Sequence, residues 1–116
     1  MTADDYRFTP EGAPYFQLIG GCLIEEPSPS YSHQETLISV AMALRVWSER
    51  RGEGKLCIAP LDVWLTGGDV VQSDVFYVSQ ARRIGLREDG MHGAPDLVVE
   101  VISQSTERLE SDREKD

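Results

Sequence analysis

The 116-residue sequence predicts an α+β (α/β) fold in which a mixed β-sheet is flanked by helices. Residues 33–52 carry apolar side chains at helical spacing, and several short apolar runs between Gly- and Pro-containing turns are typical of strands. The predicted order is helix, hairpin, long helix, several strands and a helix start. The length suits one small domain over residues 1–116.

The N-terminal segment predicts a short helix followed by a β-hairpin. The stretch "TADDYRFTP" predicts the helix, with Thr2 as its cap and acidic residues in its first turn, and Pro10, Gly12 and Pro14 would end it. The runs "YFQLI" and "CLIEE" are separated by Gly20 and Gly21. Glycine adopts positive φ without steric cost, so this pair predicts a tight two-residue turn between two strands.

The long helix is predicted from its two ends and from one apolar stripe. Ser32 and Glu35 form a capping box, which places the helix start at His33. Arg50, Arg51 and Gly52 are typical of a helix end. The stripe comprises Leu37, Val40, Ala41, Leu44 and Trp47.

Four further runs predict strands: "KLCIAP", "LDVWL", "VVQSDVFYV" and "DLVVEVIS". The segment "SQARRIGLREDGMHGAP" predicts a long polar connection with one helical turn. Ser111 and Glu114 form a capping box that predicts another helix, yet only two residues follow Glu114. We therefore expect the sequence to be the N-terminal portion of a longer domain.

Composition limits the cellular setting and the partner class. No apolar run approaches the length of a membrane helix, and Cys22 and Cys57 lie far apart in apolar segments. We expect buried free thiols in a cytoplasmic protein that does not bind membranes. The net charge of −9 counts against a nucleic-acid-binding surface. Acids gathered around a divalent cation would, however, be neutralised in the working site.

Two acidic residues interrupt strands that otherwise consist of apolar residues. Asp74 lies within "VVQSDVFYV" and Glu100 within "DLVVEVIS". If the two strands are neighbours, about 4.8 Å apart, the carboxylates can converge on one point. Hard oxygen ligands favour Mg²⁺ or Mn²⁺, and the backbone carbonyl of Val101 is a candidate third ligand. The alternative is that both acids lie at strand ends or face solvent and pair with arginines.

These two strand motifs resemble those of the Uma-type restriction-endonuclease-like family, within the PD-(D/E)xK nuclease superfamily. "VVQSDVFYV" is similar to the family's "QPDV" strand, and "GAPDLVVEVISQST" to its "PDLVVEVLSPST" strand. "SYSHQETL" and "YFQLIGGCL" resemble two further family segments. The resemblance implies a restriction-endonuclease-like core whose metal-binding catalytic acids are Asp74 and Glu100.

The resemblance also implies a catalytic lysine, but the superfamily position for it is occupied by Ile102. In this family a lysine at the start of the following helix is thought to replace it, and Lys115 stands there. Gln17 replaces the family's usual glutamate, and Ser73 replaces the proline of "QPDV". The loss of the acid at position 17 argues against full activity.

Two main functions follow from the resemblance, beside a weaker third, a metal-dependent enzyme that acts on another phosphate ester. The first is a Mg²⁺- or Mn²⁺-dependent endonuclease that hydrolyses DNA, acting as a homodimer because superfamily nucleases often dimerise to cut both strands. The second is a catalytically impaired nuclease-fold protein that serves as a nucleic-acid-binding or protein-interaction module. His33 is a candidate site or phosphate contact, or a polar residue of the helix terminus. Arg82 and Arg83 are candidate contacts to a nucleic-acid backbone, or exposed solvated arginines.

Overall fold

The computed structural model describes residues 1–7, 15–26 and 29–102. Within these ranges the helices are α1 (Ala3–Tyr6), α2 (Tyr31–Arg51) and a 3₁₀ helix (Gln80–Gly85). The strands of the same ranges are β1 (Tyr15–Ile19), β2 (Cys22–Glu26), β3 (Lys55–Ile58), β4 (Asp62–Trp64), β5 (Val70–Gln72), β6 (Val75–Val78), β7 (Leu86–Arg87), β8 (Gly90–His92) and β9 (Leu97–Val99).

The strands form two sheets, and the helices complete an α+β fold. The larger sheet has the order β2-β1-β5-β4-β8-β7. Its β4 and β8 are parallel and its other neighbours are antiparallel. The smaller sheet has the order β3-β6-β9 and is antiparallel throughout. The prediction of an α+β fold with a mixed sheet is confirmed.

Two buried clusters form the core. The first contains Val63, Phe76, Val78 and Met91, and it joins strands of both sheets. The second contains Tyr6, Leu18 and Val70 and fixes α1 against the larger sheet. These side chains are nearly inaccessible to solvent, and burial of apolar surface is the main source of their stabilising contribution.

The predicted N-terminal elements are present. Thr2 caps α1 in a capping box with Asp5. The β1–β2 hairpin turns at Gly20 and Gly21, which have φ of 59° and 80°. Both values lie in the left-handed region that glycine adopts readily, so the turn chemistry fixes the hairpin register.

The long helix ends where predicted but begins earlier. Gly52 closes α2 in the left-handed conformation, with φ of 74°. The N-cap is Ser30 and not Ser32, because Ser30 has extended backbone and its hydroxyl accepts a hydrogen bond from the His33 amide at 3.1 Å. The predicted apolar stripe is only partly covered. Leu37 is buried, whereas Trp47 remains 41% exposed and packs edge-on against Tyr77.

The run "VVQSDVFYV" was predicted as one strand, and this prediction is wrong. The chain leaves β5 in the larger sheet at Ser73–Asp74 and enters β6 in the smaller one. The Asp74 carbonyl accepts a hydrogen bond from the Ala59 amide, at 2.9 Å. Asp74 therefore lies at the junction between the sheets and not inside a strand.

The last described strand is also shorter and more open than predicted. β9 ends at Val99, so Glu100 follows the strand, and Glu100 is itself exposed. Leu97 and Val98 are 40% and 43% exposed, although the apolar run predicted a buried strand. An apolar sequence indicates a preference for burial, but the neighbouring elements decide whether burial is achieved.

The segment predicted as a polar connection contains more structure than expected. It holds the 3₁₀ helix and the β7–β8 hairpin, and β8 lies parallel to β4 through the pair Val63–Met91. Its many glycine and polar residues hid these short strands from the pattern. The expectation of two buried thiols is wrong for Cys22, which is exposed, while Cys57 is half-buried.

Two expectations fall outside the described residues: the catalytic role of Lys115 and the helix that Ser111 would cap. Within the described part of the chain, no helix combines the length and apolar character needed to cross a membrane.

Candidate active site at the junction of the two sheets

The pairing of β6 with β9 places Asp74 and Glu100 opposite each other. The ladder pairs Tyr77 with Leu97, Phe76 with Val98 and Val75 with Val99. Asp74 directly precedes Val75, and Glu100 directly follows Val99. One further step along the same antiparallel ladder therefore brings these two acids to facing positions.

The carboxyl group of Glu100 lies against Asp74 and Ser73. The Ser73 hydroxyl, the Asp74 backbone amide and the Asp74 side chain all lie close enough to it to affect its pKa. Partial burial, and then the negative charge of Asp74, raise the pKa of Glu100 to about 7. The residue as a whole is exposed, so the pair remains open to an ion from solvent.

Two further groups contact one oxygen of the Asp74 carboxylate. The Val101 amide donates to Oδ2 at 2.7 Å, and His33 Nε2 lies 3.3 Å from the same oxygen. The His33 and Asp74 side chains are only 13% and 18% exposed. The site therefore contains two carboxyl groups beside a backbone amide and a histidine ring, and among the described residues no arginine or lysine forms an ion pair with either acid.

The donor set fits a hard divalent cation. Two adjacent carboxyl groups repel each other when both are charged, and this repulsion adds to the effect of burial on the pKa of Glu100. Mg²⁺ usually keeps several waters and is held through one or two carboxylates, which Asp74 and Glu100 could supply. In the described ranges, no three His, Cys, Asp or Glu residues are grouped to hold a metal.

The structure brings together Asp74, Glu100 and Val101, three of the four residues that the sequence singled out. The amide of Val101 faces Asp74 in the structure, whereas the prediction invoked its carbonyl as a metal ligand. The fourth residue, Lys115, lies outside the described residues. The metal-binding and catalytic roles of all four stay predictions.

Gln17 contacts the end of β5 close to the site. Its side-chain oxygen accepts a hydrogen bond from the Gln72 backbone amide at 2.9 Å, two residues before Asp74. The amide side chain thus helps to fix the end of β5, where the family's glutamate would place a negative charge.

The two arginines predicted to contact nucleic acid form hydrogen bonds within the protein. Arg82 donates to the carbonyls of Ala94 and Pro95 at 3.1 and 3.2 Å, and it lies 3.5 Å from the Asp96 carboxylate. Arg83 donates to the Leu86 carbonyl at 3.2 Å. Both arginines are exposed, but their hydrogen bonds stabilise the connection before β9.

Sequence reasoning missed the part played by Ser73. Ser73 is buried, and its hydroxyl lies close to the Glu100 carboxyl group. A polar residue directly before the predicted aspartate, at a position where the family has proline, was the available signal.

The two sheets, the long helix and the facing acids define an α+β domain of the restriction-endonuclease-like class. A crystal structure from Anabaena variabilis, titled as that of a "putative nuclease belonging to DUF820", superposes with a TM-score of 0.76 at 19% identity. The match covers 98% of this chain and 65% of that one, so the chain spans less than two thirds of that protein's length.

The model of the Uma2 family, described as "Putative restriction endonuclease", matches residues 3–115. The chain belongs to this family, as the resemblance implied. A comparison with curated proteins finds no match.

Proposed function

We propose that the chain carries the catalytic acids of a divalent-metal-dependent endonuclease that hydrolyses DNA phosphodiester bonds. The observation that carries this proposal is the register of β6 with β9, which brings the Asp74 and Glu100 carboxyl groups to facing positions at the junction of the two sheets. Family membership supports the nuclease class, and DNA as substrate is part of the proposal.

The proposed chemistry assigns one role to each group. Asp74 and Glu100 would bind Mg²⁺ or Mn²⁺, with the Val101 carbonyl as a further oxygen ligand. When bound, such a cation supplies charge stabilisation on the phosphate and activation of a water. Lys115 would orient that water or stabilise the developing negative charge. The Ser73 hydroxyl and the Asp74 amide would keep the Glu100 carboxyl directed at the site.

The direct test is cleavage of supercoiled plasmid and of oligonucleotides in Mg²⁺ or Mn²⁺. We expect Asp74→Asn and Glu100→Gln each to reduce cleavage by roughly 10³-fold or more, because each amide removes a charge from the cation site at almost unchanged shape. Glu25→Gln serves as the matched control, since this acid is exposed on β2.

Cleavage that persists in both site variants would contradict the proposal and indicate a different site or a contaminant. Loss of activity in Glu25→Gln would show that the effect is not local. The rate with EDTA in place of the metal should equal the uncatalysed background.

The second candidate, a nuclease-fold module without catalysis, is favoured by one observation. Gln17 occupies the position of a family acid and is engaged with the Gln72 backbone. If the wild type binds DNA without cleaving it, Gln17→Glu is the informative variant. Cleavage gained on restoring the acid would identify an impaired nuclease, whereas an inert variant would support the binding module.

A further inference from the structure

We infer that His33 is a positioning residue: its Nε2–H holds Oδ2 of Asp74, so that the other carboxylate oxygen is presented to the cation. This inference deepens the proposed function and rests on it for the identity of the cation. It concerns the first turn of α2, which is remote in sequence from both acids.

The contact is built from two directions onto one oxygen atom. His33 Nε2 lies 3.3 Å from Asp74 Oδ2, and the Val101 amide donates to the same atom at 2.7 Å. A carboxylate fixed through one oxygen has little freedom to rotate, and its other oxygen keeps a defined direction. Residues that orient a metal-binding carboxylate in this way are a general feature of metal sites.

The His33 side chain is itself held in place. Its backbone amide donates to the Ser30 hydroxyl at 3.1 Å, which caps α2. Its ring is 13% exposed, so packing restricts the ring orientation. The helix start thereby places one polar side chain on the junction between the two sheets.

The other ring nitrogen determines which tautomer can make this contact. His33 Nδ1 is buried and has no hydrogen-bond partner among the described residues. A proton on Nδ1 would leave a buried N–H group unpaired, which is costly, whereas a bare Nδ1 loses only an acceptor contact. The Nε2–H tautomer satisfies the geometry, and its proton points at Asp74.

The same observation argues against His33 as a metal ligand. Coordination through Nε2 would require the proton on Nδ1, where no described group accepts it. His33, Asp74 and Glu100 also do not form a three-residue metal cluster in the described part of the chain. The histidine therefore acts through Asp74.

Two measurements test this inference. In metal-free protein at pH 7.5, long-range ¹H–¹⁵N correlation spectra should show His33 protonated on Nε2 and bare on Nδ1. The inference would be overturned if the neutral ring carried its proton on Nδ1. It would also be overturned if the spectra showed no hydrogen bond between Nε2–H and the Asp74 carboxylate. Both outcomes are independent of metal binding.

The second measurement is Mn²⁺ affinity, followed by the electron paramagnetic resonance signal of free Mn²⁺. We expect His33→Ala to weaken binding by roughly 10- to 100-fold, which is the usual effect of removing such a partner. His33→Gln can donate from its amide nitrogen and should keep most of the affinity. Equal affinity in wild type and His33→Ala, or equal losses in the Ala and Gln variants, would overturn the inference.

The matched control is the second histidine–aspartate pair of the described chain. His92 Nε2 lies 2.7 Å from Asp89 Oδ1, and His92 belongs to β8 of the larger sheet. His92→Gln should leave Mn²⁺ affinity unchanged. If wild-type protein shows no saturable Mn²⁺ binding, the proposed function fails, and the tautomer measurement alone then decides the positioning inference.

Discussion

Two aspartates, Asp62 and Asp74, both have hydrogen-bond partners, but they differ in the charge of their neighbours. Asp62, at the start of β4, accepts hydrogen bonds from the Tyr6 hydroxyl and the Gln72 side-chain amide, each at 2.9 Å. Asp74, at the sheet junction, also has two donors nearby but faces a second acid, Glu100. The Asp62 carboxylate accepts structural hydrogen bonds, whereas the Asp74 carboxylate belongs to a pair of acids.

The difference appears in the pKa of the partner of each aspartate. Burial and the Asp62 carboxylate raise the pKa of Tyr6 well above its usual value, so the hydroxyl stays a donor. Burial and the Asp74 charge raise the pKa of Glu100 to about 7, so its charge changes near neutral pH. A hydroxyl that stays protonated, as in Tyr6, suits a structural hydrogen bond. A pair of acids whose charge changes near neutral pH, as in Asp74 and Glu100, suits a cation site.

The largest expected effect separates the two regions by metal binding. Mn²⁺ at 100 times its dissociation constant should stabilise the wild type by about 2.7 kcal/mol, because it binds only the folded state. Thermal unfolding should show this shift in wild type and in Asp62→Ala, but not in Asp74→Asn. An equal shift in Asp74→Asn would mean that the cation binds elsewhere.

The next effect concerns the contribution of Asp62 to the free energy of unfolding. Asp62→Ala removes the carboxylate that accepts from the Gln72 side-chain amide, whereas the Tyr6 hydroxyl keeps the Phe16 carbonyl as an acceptor at 2.7 Å; we therefore expect a loss of about 1 kcal/mol in the free energy of unfolding. Urea denaturation without metal measures it. Asp74→Asn should cost less in the same experiment, since it relieves the repulsion with Glu100. A larger loss in Asp74→Asn would reverse the comparison.

The smallest effect is a pH dependence of stability in metal-free protein. The folded-state pKa of Glu100 is about 7, above the usual value of 4.5, so folding favours the protonated form. Its stabilising contribution is complete below pH 4.5 and is lost as pH rises to about 7. Partial exposure keeps the effect modest.

The difference in unfolding free energy between wild type and Glu100→Gln isolates the contribution of Glu100. The wild type should lose stability relative to the variant between pH 4.5 and 7. A difference that stays constant across this range would show that Glu100 titrates at its ordinary pKa.

Elements with a local cause were predictable, and pairings between distant segments were not. Gly20–Gly21 and Gly52 act on their immediate neighbours, so the hairpin and the end of α2 agree with prediction. The acids at 74 and 100 were identified because they interrupt apolar runs. Their surroundings were misjudged, since one predicted strand divides between two sheets at Ser73–Asp74.

The sequence by itself determined the α+β class, the hairpin, the long helix and the two acids, because turn chemistry and apolar spacing act over a few residues. Tertiary structure alone decided that β6 pairs with β9 in the register that opposes Asp74 to Glu100. It also decided that His33, 41 residues before Asp74, contacts the same carboxylate as the Val101 amide, 27 residues after it. Contacts over such separations depend on how the sheets and the helix pack, which a linear pattern does not specify.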